Sequence, residues 1–258
     1  MKRKIFAISL LLGRSFGARW LLQQLNRGMR AVSSFTHHLQ HLIEWGGKPT
    51  PEWYDHFLDQ HCFWTKTGIA FPWERGIFSL LAMKQGAKVL ELCCGDGFNA
   101  HHFYANRASN IIAMDFDPKA IQSAKRNFKR DNTHYVIGDI RTDVPDGTFD
   151  NVIWDAAIEH FTETEIDMLM HVIKQRLGEH GVLSGYTIVE RESGLSHHDH
   201  EYEFHSKEDL LRFLTPHFKS VRIFETIYPS RHNLYFFASN GTALPFDADW
   251  QYQISKAA

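Results

Sequence analysis

Cysteine is scarce. Three thiols occur in 258 residues, at Cys62, Cys93 and Cys94, and their spacing forms neither a disulfide framework nor a zinc knuckle, so a reducing compartment is expected. A large charge excess is also missing. The formal net charge is −2, which gives no electrostatic reason to expect nucleic acid as a partner. No long apolar run is present. The stretch Ile5 to Leu12, behind Lys2, Arg3 and Lys4, imitates the start of a secretory signal. It is too short to span a bilayer, no small-x-small cleavage site follows, and Arg14 and Arg19 interrupt it. A cytoplasmic protein is therefore expected. Internal repeats and low-complexity tracts are absent too, and acidic residues do not occur at all before Glu44.

What is present reads as an ordinary globular chain, 43% hydrophobic and 22% charged, long enough for one α/β domain with an appendage. From about Trp20 to Trp45, apolar residues including Leu21, Leu25, Met29, Val32, Leu39 and Ile43 recur at three- and four-residue steps, which predicts one long amphipathic helix. Arg19, Arg27 and Arg30 make it basic. Two placements follow: the helix packs on the rest of the chain with its basic face solvated, or it makes peripheral contact with an anionic membrane. Gly46, Gly47, Pro49 and Pro51 then mark a hinge, and an aromatic-rich stretch follows with Tyr54, Trp64 and Trp73.

The chain is organised around Val89-Leu90-Glu91-Leu92-Cys93-Cys94-Gly95-Asp96-Gly97. A short apolar run reaches an acid and tightens through two glycines, the pattern of strand, tight turn and helix. In an open parallel sheet that turn lies where ligands bind. Gly95, Gly97 and Ala100 satisfy the dinucleotide pattern G-x-G-x-x-G/A, and Asp115 lies at a distance suited to holding a ribose. However, Glu91 and Asp96 would put two carboxylates beside any pyrophosphate, a costly arrangement in a desolvated cleft. A ligand carrying an ammonium and a sulfonium suits them better.

Further strands are predicted at Ile111–Met114, Tyr135–Ile137, Val152–Trp154 and Val182–Val189, with helices opening at Pro118 and, by capping residues, at Thr162 and Ser206. Alternation of this kind makes a doubly wound parallel sheet. The last two runs, Val221–Tyr228 and Leu234–Ala238, are joined too closely for a helical crossover and are expected to be antiparallel.

With this pattern the chain resembles the class I S-adenosylmethionine-dependent methyltransferases over roughly residues 85 to 240, with Cys93 where their acidic-x-Gly-x-Gly-x-Gly motif has its first glycine. The resemblance implies a Rossmann-like, doubly wound, seven-stranded and mostly parallel sheet with a C-terminal antiparallel hairpin. It further implies a helical lid over residues 1–84, the methyltransferase domain over 85–240 and a tail over 241–258. S-adenosylmethionine is the implied cofactor. Glu91 would face its ammonium, and Cys93, Gly95 and Gly97 would shape the loop around it. Asp115 would hold the ribose hydroxyls, Phe116 would pack on the adenine, Asp139 and Ile140 would receive its amino group and cover its ring, and Asp155 would lie beside the methionine portion. A lid aromatic, Tyr54, Trp64 or Trp73, would face the sulfonium.

Ala157-Ile158-Glu159-His160-Phe161 resembles the segment after the fourth strand in the small-molecule branch of that family. The Asn/Asp-Pro-Pro-Tyr/Phe of nucleic-acid amino-methyltransferases is replaced here by Asp155-Ala156-Ala157-Ile158, which argues against a DNA or RNA base as acceptor. The acceptor implied is a small-molecule or glycan-like hydroxyl, whose proton His160 can take as general base; a structural role for His160 is the alternative. A second histidine run, His197 to His205, follows the fifth strand and brings in His200 as another candidate. His and carboxylates at these spacings can ligate a divalent ion, but such loops are most often solvated and no metal is expected. A cofactor-binding protein that has lost catalysis, acting as a regulator or partner, is the alternative function.

Overall fold

The structure, a computed structural model, describes residues 16–46, 58, 61–62, 66–68, 70–192, 194–229, 231–248 and 250–251. The chain divides into two compact units, residues 1–52 with 57–67 and residues 53–56 with 68–258. In the first, helix α1 (Phe16–Gly46) is the element that the apolar spacing predicts. Its histidine face is the one that packs within this unit. The His37 ring stacks on His61 at 4.3 Å, His38 meets His61 edge-on at 5.9 Å, and the Cys62 thiol donates to the His37 carbonyl at 4.0 Å. The apolar stripe of Leu21, Leu25, Met29, Val32, Leu39 and Ile43 is exposed. The basic start of the chain, the hinge residues Gly47, Pro49 and Pro51, and Tyr54 and Trp64 lie outside the described residues. Among those described, no helix is long and apolar enough to cross a membrane.

The second unit holds a seven-stranded sheet in the order β3-β2-β1-β4-β5-β7-β6. Its strands are β1 (Ala87–Leu92), β2 (Ala108–Asp115), β3 (Thr133–Ile137), β4 (Phe149–Asp155), β5 (Leu177–Ile188), β6 (Ser220–Tyr228) and β7 (Arg231–Ser239). The first five are parallel, while β7 runs antiparallel to both β5 and β6. The strand order reverses between β1 and β4, so the carboxyl ends of those two strands open on the crevice where such sheets bind ligands. The doubly wound sheet with its closing hairpin is thus as the sequence predicts.

Helices α2 (Phe71–Leu81), α3 (Pro118–Asn127), α4 (Glu163–Arg176) and α5 (Lys207–Leu214) accompany the sheet. Local chemistry sets where they start. Asp117 caps α3 through the Lys119 N–H, and Pro118 sits where a missing N–H costs nothing. Thr162 and Glu165 close a reciprocal capping box on α4, and Ser206 caps α5. Strand alternation then divides the core. Leu90, Leu92, Val152 and Trp154 pack on α4 and α5 through Ile166, Met170, Leu210 and Phe213. Val89, Ile111, Ala113 and Ile153 face the other way, toward Ile121 and Ala124 of α3 and toward Phe98 and Tyr104. Glu91 and Asp155 belong to this second face by the same alternation, in reach of α2.

The helix predicted after the glycines is short. It opens at Phe98 and ends in a single π-type turn over Ala100–Tyr104, closed by the Ala105 N–H on the Ala100 carbonyl at 2.8 Å. The wide turn brings Phe98 and His102 together against Phe128, and it sets Phe103 so close to Gly76 of α2 that a Cβ there would lie 2.2 Å from the ring.

Candidate active site

The loop after β1 takes its shape from three left-handed residues, Cys93 (φ 55°), Gly95 (φ 54°) and Gly97 (φ 77°). Cys93 adopts the conformation that a glycine supplies without cost, at roughly 1–2 kcal/mol for a residue with a Cβ. A Cβ on Gly95 would meet nothing within 4 Å, so this residue borders open space. At Gly97 the missing Cβ is needed for packing, because it would lie 2.5 Å from the Tyr135 ring, whose hydroxyl donates to the Phe128 carbonyl at 3.0 Å. Asp115, at the end of β2, grips the loop from below. Its Oδ2 accepts the Gly95 N–H at 2.8 Å and its Oδ1 the Asp117 N–H at 2.9 Å. Its own carbonyl accepts the Gly138 N–H at 3.0 Å, and the Cys94 N–H donates to Met114 at 2.9 Å, so the turns after β1, β2 and β3 are fixed together.

Three buried carboxylates, Glu91, Asp96 and Asp155, stand on or beside this loop, and the Arg75 guanidinium pairs with Asp155. Arg75 of α2 donates from Nε to Asp155 Oδ2 at 3.0 Å, and Asn99 donates to the same oxygen at 3.2 Å. Glu91 is only 2% exposed, and its Oε2 is buried with no hydrogen-bond partner. Burial, with the Asp155 charge adding to it, pushes the Glu91 carboxyl well above its ordinary range, against the opposing pull of Arg75. A buried carboxyl with an unpartnered oxygen is a receptor for a cationic group, whose charge would favour its ionised form. Burial likewise pushes the Cys93 and Cys94 thiols up, so neither is poised as a nucleophile.

On the far side of the crevice, β4 ends in Asp155, passes through Ala156 in the left-handed region (φ 55°) and enters the short 3-10 turn Ile158–His160. Buried Glu159 accepts the Thr187 hydroxyl of β5 at 3.0 Å. Its carbonyl accepts the N–H groups of Glu201 and Tyr202 at 2.9 and 3.1 Å, which pins the histidine loop onto this turn. His160 and His200 thereby meet edge to face, with ring centroids 4.7 Å apart. Next to Asp155 in the sheet stands Tyr186, its ring flanked by the guanidinium carbons of Arg75 at 5.5 Å and Arg231 at 5.7 Å. Beyond it lies a cavity of about 590 Å³ lined by Ile188, Glu190, Arg191, Tyr228, Arg231 and His232.

Of the residues that the sequence singles out, Glu91, Cys93, Gly95, Gly97, Asp115 and Asp155 converge on the loop. Asp139 lies after β3 with its carboxylate held by Arg141, whose Nε lies 3.0 Å from both oxygens, and this pairing lowers the acid's pKa. Ile140 is a core residue, and Phe116 stands 62% exposed beside Asp115. Trp73 meets Phe103 edge-on at 6.5 Å. Sequence reasoning missed Arg75, Asn99, Tyr186 and Glu203. Arg75, Asn99 and Tyr186 matter through partners distant in the chain. Asn99 sits inside the glycine motif and Glu203 inside the His197–His205 run, but neither pattern marks them out. The one usable signal was Arg75 itself, a cation in a mostly apolar helix, although Glu74 beside it offers a local partner that masks the signal.

Residues 89–181 match the family model described as a methyltransferase domain. An uncharacterized methyltransferase of Synechocystis sp. is 31% identical over 106 residues, covering 40% of this chain and 48% of the relative. The ribosomal protein L11 methyltransferase of Burkholderia cenocepacia is 35% identical over 72 residues, 28% of this chain and 24% of the enzyme. The chain thus spans about half or less of the length of these curated relatives. Among solved structures, the DhpI–SAH complex superposes with a TM-score of 0.54 at 17% identity, covering 73% of this chain and 94% of that one. The N-methyltransferase NodS from Bradyrhizobium japonicum gives 0.54 at 16% identity over 65% and 93%. The match thus shows a methyltransferase domain over residues 89–181, with S-adenosylmethionine as cofactor, on the fold these solved structures share. The unpartnered Glu91 oxygen, the buried acids around it and the open space at Gly95 fit that cofactor.

Proposed function

We propose that the chain transfers a methyl group from S-adenosylmethionine to a hydroxyl oxygen of a small molecule or glycan-like acceptor. The observation that carries the reading is the buried, unpartnered Glu91 oxygen at the end of β1, beside an Asp115-braced glycine loop. In this reading Glu91 takes the ammonium, Cys93, Gly95 and Gly97 shape the wall, and Asp115 holds the ribose. Phe116, Asp139 and Ile140 surround the adenine, and Asp155, fixed by Arg75, limits the methionine end. S-adenosylmethionine supplies the electrophilic methyl group on its sulfonium. Everything else asked of the protein is to hold the acceptor oxygen in line with that carbon and to accept the hydroxyl proton as the oxygen–carbon bond forms and the carbon–sulfur bond breaks, leaving S-adenosylhomocysteine. Alignment supplies much of the rate.

The acceptor side is assigned to His160 and His200, with the cavity beyond Tyr186 as the place for the rest of the acceptor. Its lining mixes Glu190 with Arg191 and Arg231, which suits a polar, hydroxyl-rich molecule better than an apolar one. The exposed apolar stripe of α1 beside Arg19, Arg27 and Arg30 supports peripheral contact with an anionic membrane. The acceptor assignment is tested with labelled methyl donor and fractionated cell extract. Turnover on a hydroxyl compound should fall at least about a hundredfold in His160→Ala and His200→Ala at saturating cofactor, the usual scale for removing acid–base assistance. Tight cofactor binding with no turnover on any fraction would favour a regulatory binding protein instead.

A further inference from the structure

The geometry points to a divalent transition-metal site made by Glu159, His160 and His200, a cluster whose ligand atoms all lie within 4.8 Å of one another. The inference rests on the methyltransferase reading only for its purpose, not for its existence. Two imidazoles and one carboxylate suit an ion such as Zn²⁺, Fe²⁺ or Co²⁺, and three protein ligands leave an open position for a further oxygen.

Orientation distinguishes these residues from a chance cluster. His160 Nδ1 lies 3.0 Å from the Asp199 carbonyl oxygen, which can only accept, so Nδ1 carries the hydrogen and Nε2 keeps its lone pair. His200 Nδ1 pairs with the Glu203 carboxylate, which leaves Nε2 of that ring bare as well. Glu203 is itself buried and fixed by the Ser196 N–H at 2.8 Å and the Ser196 hydroxyl at 2.5 Å. Glu159 is buried, with Oε2 held by Thr187, and among the described residues no hydrogen bond occupies its Oε1. Each of the three donors thus has an outer partner that aims it, the arrangement by which proteins orient metal ligands. Two donors of a tetrahedral ion at about 2.1 Å stand about 3.4 Å apart, so ligand atoms within 4.8 Å of one another close on an ion when each side chain moves less than about 1 Å.

A neighbouring trio, His197, His198 and Asp199, lacks this support. Its side chains are about half-exposed or more, and they pair among themselves in solvent. It serves as the internal control. If the first trio holds an ion, the open position faces the acceptor side of the crevice and would take the acceptor's oxygen, so the proposed hydroxyl would be activated by a cation rather than by free imidazole.

The test is titration of the metal-stripped full chain with Co²⁺, read by its visible d–d absorption and by calorimetry, with S-adenosylhomocysteine affinity measured on the same samples. The expected result is one tight Co²⁺ per chain. His160→Ala and His200→Ala should each weaken it tenfold or more. Glu203→Gln, a positioning change, should weaken it about 10- to 100-fold while leaving a tetrahedral-type spectrum. His197→Ala with His198→Ala should leave binding intact. Absence of saturable Co²⁺ binding, or binding that survives His160→Ala with His200→Ala, overturns the site. Retained S-adenosylhomocysteine affinity in each variant shows that the fold and the cofactor reading stand regardless, so the two readings fail separately.

Discussion

Glu91 illustrates how a single side chain can be poor for stability and good for binding. Its pKa is raised in the folded chain, chiefly by burial. Above the ordinary glutamate range, the unfolded chain has released this proton while the folded chain still holds it. The folded state therefore binds more protons, and this group's contribution to stability is full at low pH and is lost as pH rises toward the folded value. Glu91→Gln removes that penalty. The ligand-free variant should be more stable than the parent at pH 8, on the order of 1 kcal/mol, with the gap closing toward pH 4 in denaturant titrations. The same change should weaken S-adenosylmethionine by roughly 1.5–3 kcal/mol, since a charge-assisted hydrogen bond is lost. Binding to the parent should also release a proton, visible as a dependence of the calorimetric heat on buffer ionisation enthalpy. A variant that is no more stable at pH 8, yet binds as tightly as the parent, would contradict this role.

Among the elements, α1 is the one whose surface asks for a partner. Its histidine face packs within its own unit and its apolar stripe does not. If the stripe lies on an anionic bilayer, the full chain should sediment with phosphatidylserine vesicles but not with neutral ones. High salt should release it, because each Arg near such a surface contributes about 1 kcal/mol. Leu25→Ser with Val32→Ser should abolish sedimentation. A parent chain that never sediments leaves the stripe as a packing surface. The strands and caps of the second unit were legible because their signals are local: apolar runs ending at acids, Pro118, the Thr162–Glu165 box. The π-type turn was not, because Gly76 and Phe128 help to shape it from 24 or more positions away. Arg75 escaped for the same reason, its carboxylate partner being 80 residues distant.

At the scale of the whole molecule, the two halves of the site differ in what they share with other proteins. The cofactor half, from β1 to β4, lies within the matched segment 89–181. The proposed acceptor half joins Glu159 and His160, inside that segment, to the later part of β5, the loop carrying His200 and Glu203, and the β6–β7 hairpin, which lie beyond it. The proposed cofactor residues were readable as a motif and His160 and His200 as separate candidates, whereas the meeting of the two histidines becomes visible only once Glu159 has pinned the loop. The central claim concerns the shared half, and its most direct test is a calorimetric titration of the full chain with S-adenosylmethionine, repeated on Asp115→Ala. One-to-one binding, weakened by roughly 1.5–3 kcal/mol in the variant with its fold intact by circular dichroism, is the predicted result. Unchanged affinity in Asp115→Ala, or a parent chain that ignores S-adenosylmethionine and binds NADH tightly, would contradict it.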